Sequence, residues 1–310
     1  MQRSLGSLGP RARVMSSQAA HAAVPAYNHC VELIARHDRE RYLCNLHAPA
    51  VARPGLFALA ALNYETARVR NAASSEAAAR ARFTWWRDAV ATASSESSIQ
   101  PHHHEHPVVA ALAHASRHHG LTTRYIMQLL DARENDVLVQ QPRSMKDLRQ
   151  YAERTAGSIL LLGLECAGIT GDDTAELAAV QVGTALGIAT LLRGTAAHAR
   201  QGCTYLPADV TSRHGVKLSA MLRGEDSGAL RDAVAEIADE GVKHLLAARS
   251  MQDALSPTAR LVLLPATLAD HILSNLQGQG YSPFAESLLA PMTGPSMQVA
   301  LMWRRMSGRF

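Results

Sequence analysis

The chain has 310 residues, a formal charge of +4, and is 47% apolar but only 5% aromatic. It is long enough to bury one large core or two small ones, and Ala and Leu, strong helix formers, outweigh any runs of β-branched residues. Lysine occurs only at Lys146, Lys217 and Lys243, so nearly all the cations are arginines; a weak positive excess suits phosphates or lipid headgroups, and the lack of a basic stripe with interleaved aromatics argues against nucleic acid.

Taken in chain order, residues 1–27 carry Arg3, Arg11 and Arg13, several serines and no acid; the first carboxylate is Glu32. That composition predicts a disordered organellar transit peptide rather than a secretory signal, with the folded domain over 28–310. Apolar spacing predicts helices over 28–45, 55–72 and 74–92, the first bearing a solvated cluster from Asp38 to Arg41. Trp85, Trp86 and Val90 form an apolar stripe on the third, read as core packing rather than a pocket. The run HHHEH at 102–106 invites a metal reading, but zinc needs three or four converging ligands, so a polar loop is expected.

Helices are predicted at 107–119 and 121–131 with Gly120 as the stop between them. The helix 145–169 contains Ala156-Gly157-Ser158, small enough for close helix contact. Asp172 or Asp173 should cap a long helix over 172–199. Its apolar stretch 177–192 is short and broken by Gln181, Thr184 and Thr190, and is expected to be a buried core helix rather than a membrane span. Further helices are predicted at 227–249, 256–277 (interrupted by Pro265) and 296–307. On the last, Val299, Met302, Trp303 and Met306 could face lipid with Arg304, Arg305 and Arg309 near the headgroups, or the helix could pack on the domain. The four cysteines, Cys30, Cys44, Cys166 and Cys203, form no CxxC pair, which argues for a reducing compartment and against a disulfide framework. No strand rhythm is visible, and the expected fold is one all-α domain.

The chemistry-bearing stretch is LLRGTAAHARQGCTYLP, residues 191–207. It resembles the second signature of the squalene/phytoene synthase family, a Leu-Arg-Asp-x-x-x-Asp helix followed by an Arg-Gly-x-x-Tyr-Leu-Pro loop. Arg193, Gly202, Tyr205, Leu206 and Pro207 match; Gly194 and His198 stand where the two aspartates would, and Gln201 replaces the loop arginine. Tyr151, Ala156, Gly157 and Ser158 are similar to the family's Tyr-x-x-x-x-Ala-Gly-Ser segment. RPGLFALAALNYETARVR resembles the helix with the first aspartate motif, with Glu65 at the first acid and Val69 at the second.

That resemblance implies an isoprenoid-synthase-like helical fold, and in active members a magnesium-held diphosphate. With one acid left of four, the magnesium mechanism is not expected here, because hard cations need oxygen ligands and imidazole suits softer metals. No catalytic residue, metal or cofactor is therefore expected. HDRERYLCNLHAP, FTWWRDAV and HPVVAALA further resemble a non-catalytic branch of the family that serves assembly of mitochondrial respiratory complex I. The resemblance implies early action on the membrane arm, at the matrix face of the inner membrane, with a membrane-arm subunit or other assembly factors as partners and possible peripheral membrane contact. Two alternatives stay open: a prenyl transferase, with a plastid as the alternative location, and a module binding a lipid or prenyl diphosphate on Arg68, Arg193 and Tyr205.

Overall fold

In a computed structural model the described residues are 17–94, 106–290 and 293–310, and among them every regular element is helical. The transit-peptide stretch up to residue 16 and His102–His104 lie outside these residues. The first four helices are α1 (Ser17–His37), α2 (Arg39–His47), α3 (Arg53–Ala72) and α4 (Glu76–Ser94). After them come α5 (Pro107–His119), α6 (Thr123–Asp136), α7 (Met145–Ala152), a π turn (Glu153–Gly157) and α8 (Ser158–Cys166). The long α9 (Asp173–Arg193) runs into the short α10 (Thr195–Arg200), α11 (Ala208–Arg213) and α12 (Leu218–Leu222). The chain closes with α13 (Gly228–Ser250), α14 (Pro257–Val262), α15 (Ala266–Gly278), α16 (Glu286–Leu289) and α17 (Pro295–Ser307).

The helix ends follow local chemistry. Side chains of Asp38, Ser144, Asp172, Ser227 and Ser256 accept backbone N–H groups at the starts of α2, α7, α9, α13 and α14, satisfying donors that a helix leaves unpaired. Gly120 closes α5 at φ +69, as expected of a residue without a Cβ. Asp38 splits the predicted 28–45 helix in two, because its side chain caps Arg41 N at 3.0 Å.

The expected domain start at 28 falls inside α1. Ala23 and Ala26 are buried, and the Tyr27 hydroxyl lies 2.9 Å from His114 Nδ1. An acid-free, alanine-rich run satisfies a targeting composition and a helix equally well, so composition alone does not separate the two.

Two apolar clusters make the core. One gathers α1, α3, α4, α5 and α6, with Phe57, Phe83, Leu112 and Leu129 among its buried members; Trp86 is in it and Trp85 packs against it. The other surrounds α9 and takes in α13, α15 and Phe310. Helix α8 joins them: Ile159 and Leu162 belong to the first, Leu160 and Leu164 to the second. Each fully buried aliphatic side chain contributes roughly 1.5–3 kcal/mol relative to exposure.

The small residues expected to allow close contact do so. Gly183 on α9 lies against the π turn so tightly that a Cβ there would sit 2.4 Å from Gly157 Cα, and one at Gly187 would sit 2.6 Å from Ala152 Cβ. By length and composition α9 is in fact sufficient to cross a membrane, contrary to the expectation drawn from its polar breaks. Its burial against α7, α8, α13 and α15 assigns it to the core.

Candidate functional site

A cavity of about 660 Å³ opens where the C-terminal halves of α3 and α9 face each other. The α1–α2 junction, the end of α6, Tyr151 of α7 and the segment from α16 toward α17 complete its wall. Such a volume lies within the range of ligand pockets.

From α3 the cavity receives Asn63, Ala67, Arg70 and Asn71, the i, i+4, i+7 and i+8 positions of one face, with Tyr64 beside them. From the end of α9 and from α10 it receives Gly194 and His198. Glu65 and Val69 point elsewhere, which corrects the register read from sequence. Glu65 Oε2 lies 3.3 Å from His106 Nε2, whose ring packs against Trp85 and Trp86, and Val69 is buried in the first core cluster. A two-residue slip on a helix turns a side chain through about 200°, so the residues facing Gly194 and His198 are Asn63 and Ala67. None of these four carries a carboxylate.

Arg68 is likewise outside the cavity. It is exposed and lies over Tyr64, with Nη1 donating to the Tyr64 hydroxyl at 3.1 Å. Arg193 does line the cavity, but its Nη1 donates to both carboxylate oxygens of Glu40 at 2.8 Å, so its charge is already matched. Tyr205 also lines the cavity, where its hydroxyl joins a hydrogen-bonded cluster. Its hydroxyl donates to Asp136 Oδ2 and accepts from Arg70 Nη1 at 3.0 Å.

Arg70 and Asp136 pair at 3.1 Å. The Tyr151 hydroxyl donates to Asp136 at 3.3 Å and accepts from Arg133, which also reaches Asn63 Oδ1 at 3.1 Å. Burial, followed by the neighbouring Tyr151 and Asp136, pushes the Tyr205 hydroxyl pKa far up, and burial raises that of Tyr151. Both stay protonated and act as donors. Sequence reasoning missed Asp136, Arg133 and the part played by Arg70; only the i+7 spacing of Arg70 from Asn63 could have signalled the last.

The loop that carries Tyr205 is pinned by main-chain bonds to the segment after α6. Thr204 N donates to Gln140 O and Ala208 N to Pro142 O, both at 2.9 Å. His198 packs edge-on against Tyr205 with centroids 4.6 Å apart. Burial, with Arg70 adding to it, pushes the His198 imidazole down to about 4, so the ring is neutral near pH 7.

Five arginines in the lining face three carboxylates, Asp38, Glu40 and Asp136. Each carboxylate is engaged: Asp38 in capping α2, Glu40 on Arg193 and Asp136 on Arg70 and two tyrosines. Among the described residues no group of three His, Cys, Asp or Glu side chains converges as metal ligands would. A magnesium–diphosphate cluster needs several free oxygen ligands, and this donor set does not fit it. Farther along α3, the space between α2, α3, α8 and α14 is only about 20 Å³, the room of about one water.

Comparison with known proteins follows the same lines. The family model for squalene/phytoene synthase matches residues 34–296. A mouse protein named NADH dehydrogenase (ubiquinone) complex I, assembly factor 6, is 35% identical over 282 residues, covering 90% of this chain and 83% of the mouse protein. The Drosophila melanogaster homologue of that name is 31% identical, covering 91% and 84%. Among solved structures, a dehydrosqualene synthase superposes with a TM-score of 0.79 at 18% identity, covering 93% of this chain and 98% of that one.

Proposed function

The chain belongs to the squalene/phytoene synthase family, and we infer that within it this member is a non-catalytic assembly factor for mitochondrial respiratory complex I. The observation that carries the reading is the cavity itself: the positions facing each other from α3 and α9–α10 are Asn63, Ala67, Gly194 and His198. They offer a hard divalent cation almost nothing. Departure of a diphosphate depends on metal neutralising the developing charge, so the family's condensation loses its driving group. The near full-length relatedness to proteins named as complex I assembly factors supports the same reading. By this proposal the protein acts early on the membrane arm, at the matrix face of the inner membrane, through a membrane-arm subunit or another assembly factor. The arginine-bearing, acid-free stretch before Glu32 is consistent with mitochondrial import.

Deletion of the gene is expected to stall complex I at a membrane-arm intermediate on native gels, with rescue by the wild-type chain. Normal complex I in the deletion strain would overturn the reading.

A second property is favoured by one feature. Among the described residues Arg133 Nε and His198 Nδ1 are buried without a hydrogen-bond partner, and both residues line a cavity with excess arginine. Such groups suit an anionic headgroup held without metal, with Arg36 and Arg39 at the α1–α2 junction in place of the Arg68 and Arg193 read from sequence. Purified protein given farnesyl diphosphate and magnesium should release no pyrophosphate. Calorimetric binding abolished by Arg36→Ala with Arg39→Ala would establish the pocket as a binding site; release with a head-to-head product would overturn the non-catalytic reading.

A further inference from the structure

Helix α17 is held on the domain by one face and leaves a second face bare. Met297, Leu301 and Phe310 are buried, and Arg304 pairs with Asp270 at 2.6 Å, a carboxylate that also binds Arg249. Arg249 Nε donates to Phe310 O at 3.2 Å and Arg260 Nη1 to Gly308 O at 3.2 Å. Of the two alternatives open at the level of sequence, the docked helix describes this face, and the exposed face leaves the lipid-facing one open.

The bare face is apolar. Val299, Met302, Trp303 and Met306 lie at i, i+3, i+4 and i+7, one stripe turned away from Met297 and Leu301. Trp303 is 68% exposed and Met306 75%, values at which burial in the fold contributes almost nothing to keeping these large apolar side chains. Exposed Leu46 and Val51 come from α2 and the turn after it, the region on which α17 packs.

Charge decides the occupant. Residues 287–310 contain no Asp or Glu, and Arg305 and Arg309 are exposed and make no salt bridge among the described residues. A protein partner would need acids or hydrogen-bonding groups of its own placed against these arginines. An anionic bilayer supplies both requirements at once, acyl chains for the stripe and phosphates for the guanidinium groups, and tryptophan suits that boundary.

We propose that the exposed face of α17 docks on an anionic phospholipid surface, with Trp303 and Met306 inserted and Arg305 and Arg309 on the headgroup phosphates. The segment leading into α17, including Leu289 and Thr293, also walls the cavity, so the docked surface and the cavity share one connected region. The proposal rests on the reading of a peripheral membrane protein and gives it a surface.

The test is flotation of the full chain with phosphatidylcholine vesicles, with and without phosphatidylglycerol. The wild type should float only with the anionic vesicles and should be released as salt screens the arginines. Trp303→Ser with Met306→Ser should weaken binding about tenfold or more without lowering the melting temperature, while Trp303→Phe with Met306→Leu keeps it. Arg305→Gln should weaken it about fivefold. Equal flotation of the serine variant, binding to neutral vesicles alone, or a dimer through this face without vesicle binding would each overturn the proposal. Complex I assembly stalled by gene deletion, beside a protein that does not float, would sink the surface and leave the assembly reading standing. Flotation beside normal complex I would do the reverse.

Discussion

Gly194 has ordinary helical torsions, φ −76 and ψ −5, so nothing in the backbone demands a glycine there. What demands it is the ring of His198. A Cβ on Gly194 would lie 2.5 Å from His198 Cε1, and the ring is held from another side by Tyr205. At an unstrained helical site, Gly→Ala ordinarily stabilises by about 0.4–1 kcal/mol. Here Gly194→Ala should destabilise by about 1–3 kcal/mol through overpacking, and in a His198→Ala background the same change should turn neutral or stabilising. Urea unfolding of the four chains of that cycle checks it; a stabilising Gly194→Ala in the wild-type background would mean that the ring simply swings aside. The pair is thus a fitted unit rather than a gap left by lost ligands. Nearby, Asp136 is satisfied by Arg70, Tyr205 and Tyr151. Those residues brace the cavity wall.

At the scale of helices, periodicity was a sound guide wherever packing is regular. Helices α3, α4, α5, α13 and α17 lie within two residues of their predicted bounds, since an apolar stripe must face a core. The break at Pro265, between α14 and α15, follows from its missing N–H and its ring. The π turn at Glu153–Gly157 was not legible, because it depends on where Gly157 meets Gly183 from a helix distant in sequence. The candidate site was half legible for a related reason. Gly194, His198 and Tyr205, whose register the Tyr-Leu-Pro loop sets, line the cavity together. On α3 no such landmark exists, and the one acid present, Glu65, drew the register two residues away from Asn63 and Ala67. Asp136 and Arg133 lie at the end of α6 with no motif around them; only the fold brings them to α3 and α7.

Over the whole molecule, burial of histidine in both halves couples stability to pH. His119 lies beside Gly55 and Cys166 at the first core cluster, and burial, aided by His118 and His114, pushes its imidazole down to about 4. His198, at the cavity beside the second cluster, is pushed down to about 4 by burial and by Arg70. In the unfolded chain each titrates near 6.5. Above that pH both states are neutral and these groups leave stability unchanged. Between about 6.5 and about 4 the unfolded state binds protons that the folded state refuses, so stability falls as pH falls. Below about 4 their contribution levels off. Asp226 and Glu236 have lowered pKa values through hydrogen bonds with Arg231 and His214 that work against partial burial, but carboxylates lose their contribution only at lower pH, so the window from 6.5 to 4.5 belongs to the imidazoles. Thermal melts should therefore show a falling midpoint from pH 7 to pH 5, and His198→Gln should flatten part of that slope. A midpoint constant across this range would mean that water reaches these rings and that the cavity is more open than its packing against Tyr205 requires.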